Sequence, residues 1–390
     1  MTGSEFSARL AGRAFDIGRT AWNACAGTEN PFTRYEFFDA VEASGSATAK
    51  TGWRPLHLVV ERDRQIEGIL PLYLKNHSQG EYVFDHAWAD ALERSGGDYY
   101  PKLQACVPFT PATGRRMLIA PGVDESAMRA ALLSTGANAV KELHASSLHI
   151  TFLTESEWRA AGEAGYLLRT DQQFHWENRG YTTFDQFLSE LNSSKRKNLR
   201  KERESVRAEG VEFDWLTGGD LTEAAWDAFF AFYMDTGGRK WGHPYLTREF
   251  FSRVGASMAD QILLIMAKRN GSYIAGALNF FGGGTLFGRN WGCSEFVPFL
   301  HFETCYYQAI EFAIARGLRK VEAGAQGEHK LLRGYMPTTT YSAHHIAHPG
   351  LRRAVDDYLK REREAVAGHI DELAEHGPFR KTDPDHGERR

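Results

Sequence analysis

Apolar positions recur at helical spacing over residues 7–25 and 34–43. Asn30-Pro31-Phe32 reads as a turn between these helices, and Gly45 ends the second. The spacing then shortens to that of strands over 56–61 and 65–75. Arg62-Asp63-Arg64 between them is a polar turn, so the pair predicts a hairpin.

The same pattern returns later in the chain. Residues 262–268 and 272–281 flank Arg269-Asn270-Gly271, a second hairpin. Ile66, Gly68, Leu70 and Tyr73 correspond at constant spacing to Ile274, Gly276, Leu278 and Phe281. A repeat of this length points to a duplicated domain. After it come a strand over 286–292, a helix over 304–315 closed by Gly317, a strand over 319–323, a short helix over 328–333 and a strand over 339–347. Alternating strands and helices predict an α/β architecture with helices on the sheet faces. The expected division is 1–175, 176–350, and 351–390 as a charged helix over 351–374 and a polar tail without fixed structure.

With 390 residues, two domains fit better than one. A net charge of −4 gives no global attraction to nucleic acid or anionic membrane, so any such contact needs a local basic patch. Cys25, Cys106, Cys293 and Cys305 form no C-x-x-C pair and read as reduced thiols. The first residues carry no basic start followed by an apolar stretch, and 262–267 is too short to span a bilayer. A cytoplasmic protein is expected.

Chemistry concentrates in Glu322-Ala323-Gly324-Ala325-Gln326-Gly327-Glu328-His329-Lys330, with Arg333-Gly334-Tyr335 following. The run starts where a predicted strand ends and a helix opens, the place where open α/β sheets bind ligands. Gly324 and Gly327 permit a sharp turn and close approach of a ligand, with Gln326 between them. Glu328 and His329 are candidate proton acceptors. Lys330 and Arg333, three apart, suit a phosphate or a developing oxyanion. Arg289 and Trp291 on the preceding strand, and His301, Glu303 and Tyr306 at the next helix start, are expected beside the same crevice. Tyr306 or Tyr307 would protonate a leaving group. Glu303 also suits the positive end of the helix dipole, and Trp291 a core position. Cys293 and Cys305 read as core residues.

Two further segments carry candidates. Lys195, Arg196, Lys197 and Arg200 belong to a run with six cations over 195–203, which either follows phosphates or forms a solvated face with Glu202, Glu204 and Glu209. The serines before it can cap a helix. The loop with Lys240, Trp241 and Tyr245 can line a substrate channel. His344 and His348 share a strand face, but about 13 Å apart, too far for one ion, so no metal is expected. No G-x-S-x-G elbow and no G-x-x-x-x-G-K-[ST] loop occur, which argues against a serine hydrolase and a P-loop nucleotidase.

Arg289-Asn290-Trp291-Gly292, the run His301 to Gln308 and the Gly324–Lys330 segment with Arg333-Gly334-Tyr335 resemble the predicted N-acyltransferases of peptidoglycan biosynthesis and recognition, which are FemAB-like relatives of the GNAT superfamily. Asn30-Pro31-Phe32, the 195–203 run and Lys240-Trp241-Gly242 with Pro244-Tyr245-Leu246 are similar too, so the resemblance spans about residues 8–365. It implies tandem GNAT domains with mixed sheets flanked by helices, no permanently bound cofactor, and transfer of an acyl or aminoacyl group from acyl-CoA or aminoacyl-tRNA to an amine such as a peptidoglycan precursor. The second half lacks a [QR]-x-x-G-x-[GA] loop to cradle a pyrophosphate, which counts against CoA. Two other classes stay open at this point: a non-catalytic module that recognises a cell-wall precursor, and an RNA-associated protein.

Overall fold

A computed structural model of the chain describes residues 6–241, 244–324 and 327–380, with the backbone alone at 239–241. One sheet of eleven strands dominates it. From edge to edge the strands are Val211–Leu216, Ile262–Arg269, Ser272–Gly282, Thr285–Cys293, Lys320–Glu322, Leu167–Glu177, Met336–Ile346, Ser147–Leu153, Lys102–Ala105, Leu72–Lys75 and Trp53–Pro55. Two neighbouring pairs are parallel: Thr285–Cys293 with Lys320–Glu322, and Lys102–Ala105 with Ser147–Leu153. Outside its parallel pair the second half adds three strands to this sheet and the first half two, the first half's hairpin lying in a separate sheet of four strands.

The halves exchange their last strands. Leu167–Glu177 leaves the first half and pairs with Lys320–Glu322 of the second. Met336–Ile346 closes the second half and pairs with Ser147–Leu153 of the first. The two pair with each other in the middle of the sheet. The position expected as the division, residue 175, lies inside the strand Leu167–Glu177, both of whose partners are strands of the second half. The fold is α/β, with mixed sheets flanked by helices.

Helices Glu223–Trp241 and Arg248–Met258 pack on one face of the second-half strands through Phe229, Phe250 and Phe251. On Thr285–Cys293 the approach is backbone to backbone. A Cβ on Gly292 would lie 2.2 Å from the carbonyl oxygen of Phe232, so only glycine admits this helix. Tyr306, Tyr307, Ile310 and Phe312 cover the opposite face together with Phe187 and Leu331.

Several expected elements differ. Residues 7–25 do not form one helix: Ser7–Ala11 is a strand paired with His57–Arg62, and Gly18, at φ +89°, separates helices Ala14–Ile17 and Arg19–Ala26. The expected strand over 65–75 is two strands in two sheets. Gln65–Leu70 joins a smaller sheet with Ser7–Ala11, His57–Arg62 and Leu118–Ile119, and Leu72–Lys75 enters the large one. Pro71 between them has no N–H to continue a ladder. The chain just after helix Pro349–Glu375, expected to lack fixed structure, packs on the second half: Phe379 bridges Leu191 and Arg380 N donates to Glu190 O. His344 is buried against His149, whereas His348 caps the helix Pro349–Glu375 by accepting from Leu351 N.

Candidate active site

The segment after strand Lys320–Glu322 becomes a six-residue 3₁₀ helix, Glu328–Arg333, between Gly327 at φ +116° and Gly334 at φ +89°. A Cβ on Gly327 would lie 2.4 Å from the His329 ring, so glycine is required for that ring to fold back. Three residues per turn put Lys330 and Arg333 on one buried face, with Glu328 and His329 outside. The facing helix starts at Leu300–Phe302, widens into a π turn at Glu303–Tyr307 and continues as Gln308–Ala315.

Helix Ser193–Ala208 supplies the third wall. Asn192, not a serine, caps it by accepting from Lys195 N at 3.3 Å. Its inward stripe is Leu199, Arg203 and Val206. Arg203 donates to Glu303 at 2.8–3.2 Å and to Glu311 at 2.8 and 2.9 Å. Glu202 accepts from Arg333 at 2.8 and 3.0 Å and from the Tyr307 hydroxyl. Arg333 also donates to the His329 carbonyl at 2.8 Å and lies 3.5 Å from the centre of the Phe302 ring. Both arginines are thus fully engaged by carboxylates.

Lys330 is different. It is 2% exposed, and its Nζ donates to the Gly324 carbonyl at 3.0 Å. No carboxylate among the described residues lies within ion-pair distance of it. Burial brings its ammonium down to about 8, with Cys305 acting weakly against that shift. Beside it, His329 Nε2 and the Tyr306 hydroxyl share a hydrogen bond of 2.9 Å. Burial and then the charges of Arg333 and Lys330 hold His329 below the usual histidine range, while burial raises Tyr306. The arrangement joins a desolvated cation to a neutral imidazole–phenol pair.

The structure brings His329, Lys330, Arg333, Tyr306, His301 and Trp291 together; the Trp291 and His301 rings are 5.3 Å apart, and those of His301 and Tyr306 are 5.4 Å apart. Glu303 is inside the ion network rather than open to a substrate. The Glu328 side chain is 70% exposed and 3.8 Å from His369 on the C-terminal helix, turned away from this group. Arg289 and Tyr245 lie elsewhere, beside Phe109: Arg289 donates to its carbonyl and Tyr245 stacks on its ring at 4.9 Å. Lys197 and Arg200 are exposed, Lys195 and Arg196 half-buried, and Arg200 reaches Asp185 at 3.1 Å. Gln326 lies outside the described residues, and so do the side chains of Lys240 and Trp241, which end helix Glu223–Trp241. Sequence reasoning misses the roles of Glu202 and Arg203. The spacing of Leu199, Arg203 and Val206 on one helical face is the signal that finds them.

No helix of the described residues is long and apolar enough to cross a membrane. No curated protein sequence matches this chain. Among solved structures it is similar to FemX, with a TM-score of 0.53 at 12% identity, covering 87% of this chain and 97% of that one. L-PGS from Bacillus licheniformis aligns with a TM-score of 0.51 at 10% identity over 85% and 98% of the two chains. The C-terminal domain of a putative lysylphosphatidylglycerol synthetase from Agrobacterium fabrum gives 0.51 at 9% over 88% and 96%. At these identities the likeness is one of fold. The family model of FemAB-like proteins, described as peptidoglycan biosynthesis/recognition, matches residues 13–381. The chain belongs to the FemAB-like family of peptidoglycan biosynthesis and recognition proteins.

Proposed function

We propose that the chain is an N-acyltransferase that moves an aminoacyl or acyl group to an amine at Lys330, His329 and Tyr306. Membership of the FemAB-like family supports acyl or aminoacyl transfer in general. The observation that carries the assignment is Lys330: a buried ammonium held on a carbonyl, with no acid beside it among the described residues. Burying a cation without an anion is costly, and such groups cluster where an anion forms or binds during function.

In this reading a neutral amine attacks the carbonyl carbon of an ester or thioester. Lys330 stabilises the oxyanion as the carbon becomes tetrahedral. The C–O or C–S bond then breaks, and the leaving atom takes the Tyr306 proton. His329 takes the proton that the nitrogen sheds on becoming an amide and returns it to Tyr306 across their hydrogen bond. No covalent enzyme intermediate is needed. Glu328, exposed on His369, is not required, and Glu303 acts by fixing Arg203 against the helix.

The donor reading is aminoacyl-tRNA in the cytoplasm, with a peptidoglycan precursor or peptide as acceptor. Lys197, Arg200 and Lys201 are exposed on the helix whose inner face carries Glu202 and Arg203 into the site. That places a basic face next to the proposed reaction centre, as a phosphate backbone needs. The test is incubation with charged tRNA or acyl-CoA and a panel of amines, with products identified by mass spectrometry. Transfer from charged tRNA supports the reading. Transfer from acyl-CoA alone reassigns the donor, and binding of a precursor without turnover favours a recognition module.

A further inference from the structure

The 3₁₀ helix Glu328–Arg333 is held by little of its own. It has six residues, a glycine at positive φ on each side and no side-chain cap at its start. One polar tether is the bond from Lys330 to the Gly324 carbonyl. The other is Arg333, which sends each nitrogen to a different group. Its Nη1 donates to the His329 carbonyl at 2.8 Å, its Nε to the Tyr307 hydroxyl at 3.1 Å, and its Nη2 to the two oxygens of Glu202 at 2.8 and 3.0 Å. A planar guanidinium can make such a three-way contact, and a lysine cannot.

Glu202 comes from another element, helix Ser193–Ala208. Its side chain is 16% exposed and that of Arg333 7%, so water and salt screen the pair weakly. Among the described residues no other cation lies within ion-pair distance of Glu202. The Tyr307 hydroxyl donates to it as well, and burial pushes that phenol far above its ordinary range, so it stays a donor. Glu202 is thus fixed by two donors, and through Arg333 it reaches the backbone of the proposed proton acceptor.

His329 is enclosed by groups of defined charge. On its own turn Arg333 and Lys330 are cations, while Glu328 points away to His369. From the facing helix Tyr306 shares its hydrogen bond, the His301 and Phe302 rings stand 6.3 and 5.6 Å away, and Cys305 acts on the neighbouring Lys330. Two cations therefore act on the imidazole, and the carboxylate bound to one of them is Glu202.

We propose that Glu202 is a positioning residue for acyl transfer. It holds Arg333 on the His329 carbonyl and offsets the Arg333 charge, so the imidazole stays against Tyr306 in a state that takes the proton of the attacking amine. The same helix turns Lys197, Arg200 and Lys201 outward, so the proposed donor face and the proton acceptor are joined by one element. The inference rests on the acyl-transfer reading for its meaning, but its test needs no turnover.

The test is the titration of His329, followed by NMR of protein carrying isotope-labelled histidine, the signal being identified by its loss in His329→Gln. Glu202→Gln keeps the side-chain shape and an acceptor for Arg333 but removes the negative charge. The imidazolium loses its opposing anion, so the midpoint should move down by about 0.5 in pH. A carboxylate that only stiffened the turn would give the opposite sign, since a loosened ring gains water and its midpoint rises toward about 6.5. In an Arg333→Met background the same replacement should move the midpoint less than half as far, because the link to Glu202 is gone. Should Arg333→Met not fold, Glu202→Gln decides alone. Absence of acyl transfer would remove the reaction and leave this shift in place, so the two failures are separable. An unchanged or raised midpoint in a well-folded Glu202→Gln protein, or equal shifts in both backgrounds, overturns the proposal.

Discussion

Arg203 grips Glu303 through three hydrogen bonds of 2.8–3.2 Å, joining helix Ser193–Ala208 to the π turn Glu303–Tyr307. Both side chains are buried. Removing the arginine strands Glu303, with Glu311 beside it, in a poorly solvated place. Arg203→Met should therefore lower stability by about 3–5 kcal/mol, the range for breaking one side of a buried pair. Urea unfolding followed by circular dichroism reads this directly. A decrease under about 1 kcal/mol would mean that the pair does not fasten the helix.

Acid should weaken the fold through a different pair. His149 and His344 share a buried hydrogen bond of 2.7 Å between their Nδ1 atoms, joining strands Ser147–Leu153 and Met336–Ile346. Burial brings His149 down to about 3 and His344 well below the ordinary range, with Lys102 and His149 respectively adding to the shift. Both are depressed relative to an unfolded value of about 6.5, so the unfolded chain binds more protons below that pH. Stability present above pH 6.5 should drain away as pH falls toward 3, by about 2 kcal/mol per histidine at pH 5. Urea midpoints at pH 7 and pH 5 measure it. A His149→Gln protein should show a flatter decline, and equal slopes in both proteins would contradict the assignment.

Gly327 tests the local geometry of the site. Gly327→Ala puts a methyl group into the His329 ring at a φ that side chains resist. The expected cost in stability is about 1–2 kcal/mol. The His329–Tyr306 hydrogen bond should break, and turnover should fall by roughly tenfold or more. Thermal melting and single-turnover rates give the two readouts. Full activity in the alanine variant would show that this hydrogen bond is idle.

The basic helix has its own test. Reversing Lys197, Arg200 and Lys201 to glutamate should weaken tRNA binding and flatten its dependence on salt by about one unit of log–log slope for each phosphate no longer neutralised. Melting should change by less than about 0.5 kcal/mol, because all three side chains are exposed. Unchanged binding at every salt concentration would mark them as a solvated face.

Much of the second half was legible in the sequence because its signals are local. Ile262–Arg269 and Ser272–Gly282 are strongly apolar, and Asn270 and Gly271 take the positive φ that a tight hairpin demands. The glycine-flanked turn around His329 and Lys330 was legible for the same reason. The strand exchange was not, since nothing in Leu167–Glu177 records that its partners lie at 320–322 and 336–346. Charge type misled at Glu328 and Glu303, as spacing alone does not tell an exposed carboxylate from one buried on an arginine. The reverse held for Arg203, which stands in a basic run yet faces inward.

Lys330→Met probes the proposed chemistry at its centre. Methionine fills the same space without the charge. The fold should melt at the same temperature or higher, because a buried cation that has no acid beside it among the described residues is removed. Turnover with the donor identified by mass spectrometry should fall about 10²–10³-fold, the usual effect of removing one group that stabilises an oxyanion. Intact melting together with wild-type turnover in Lys330→Met would contradict the placement of acyl transfer at this site.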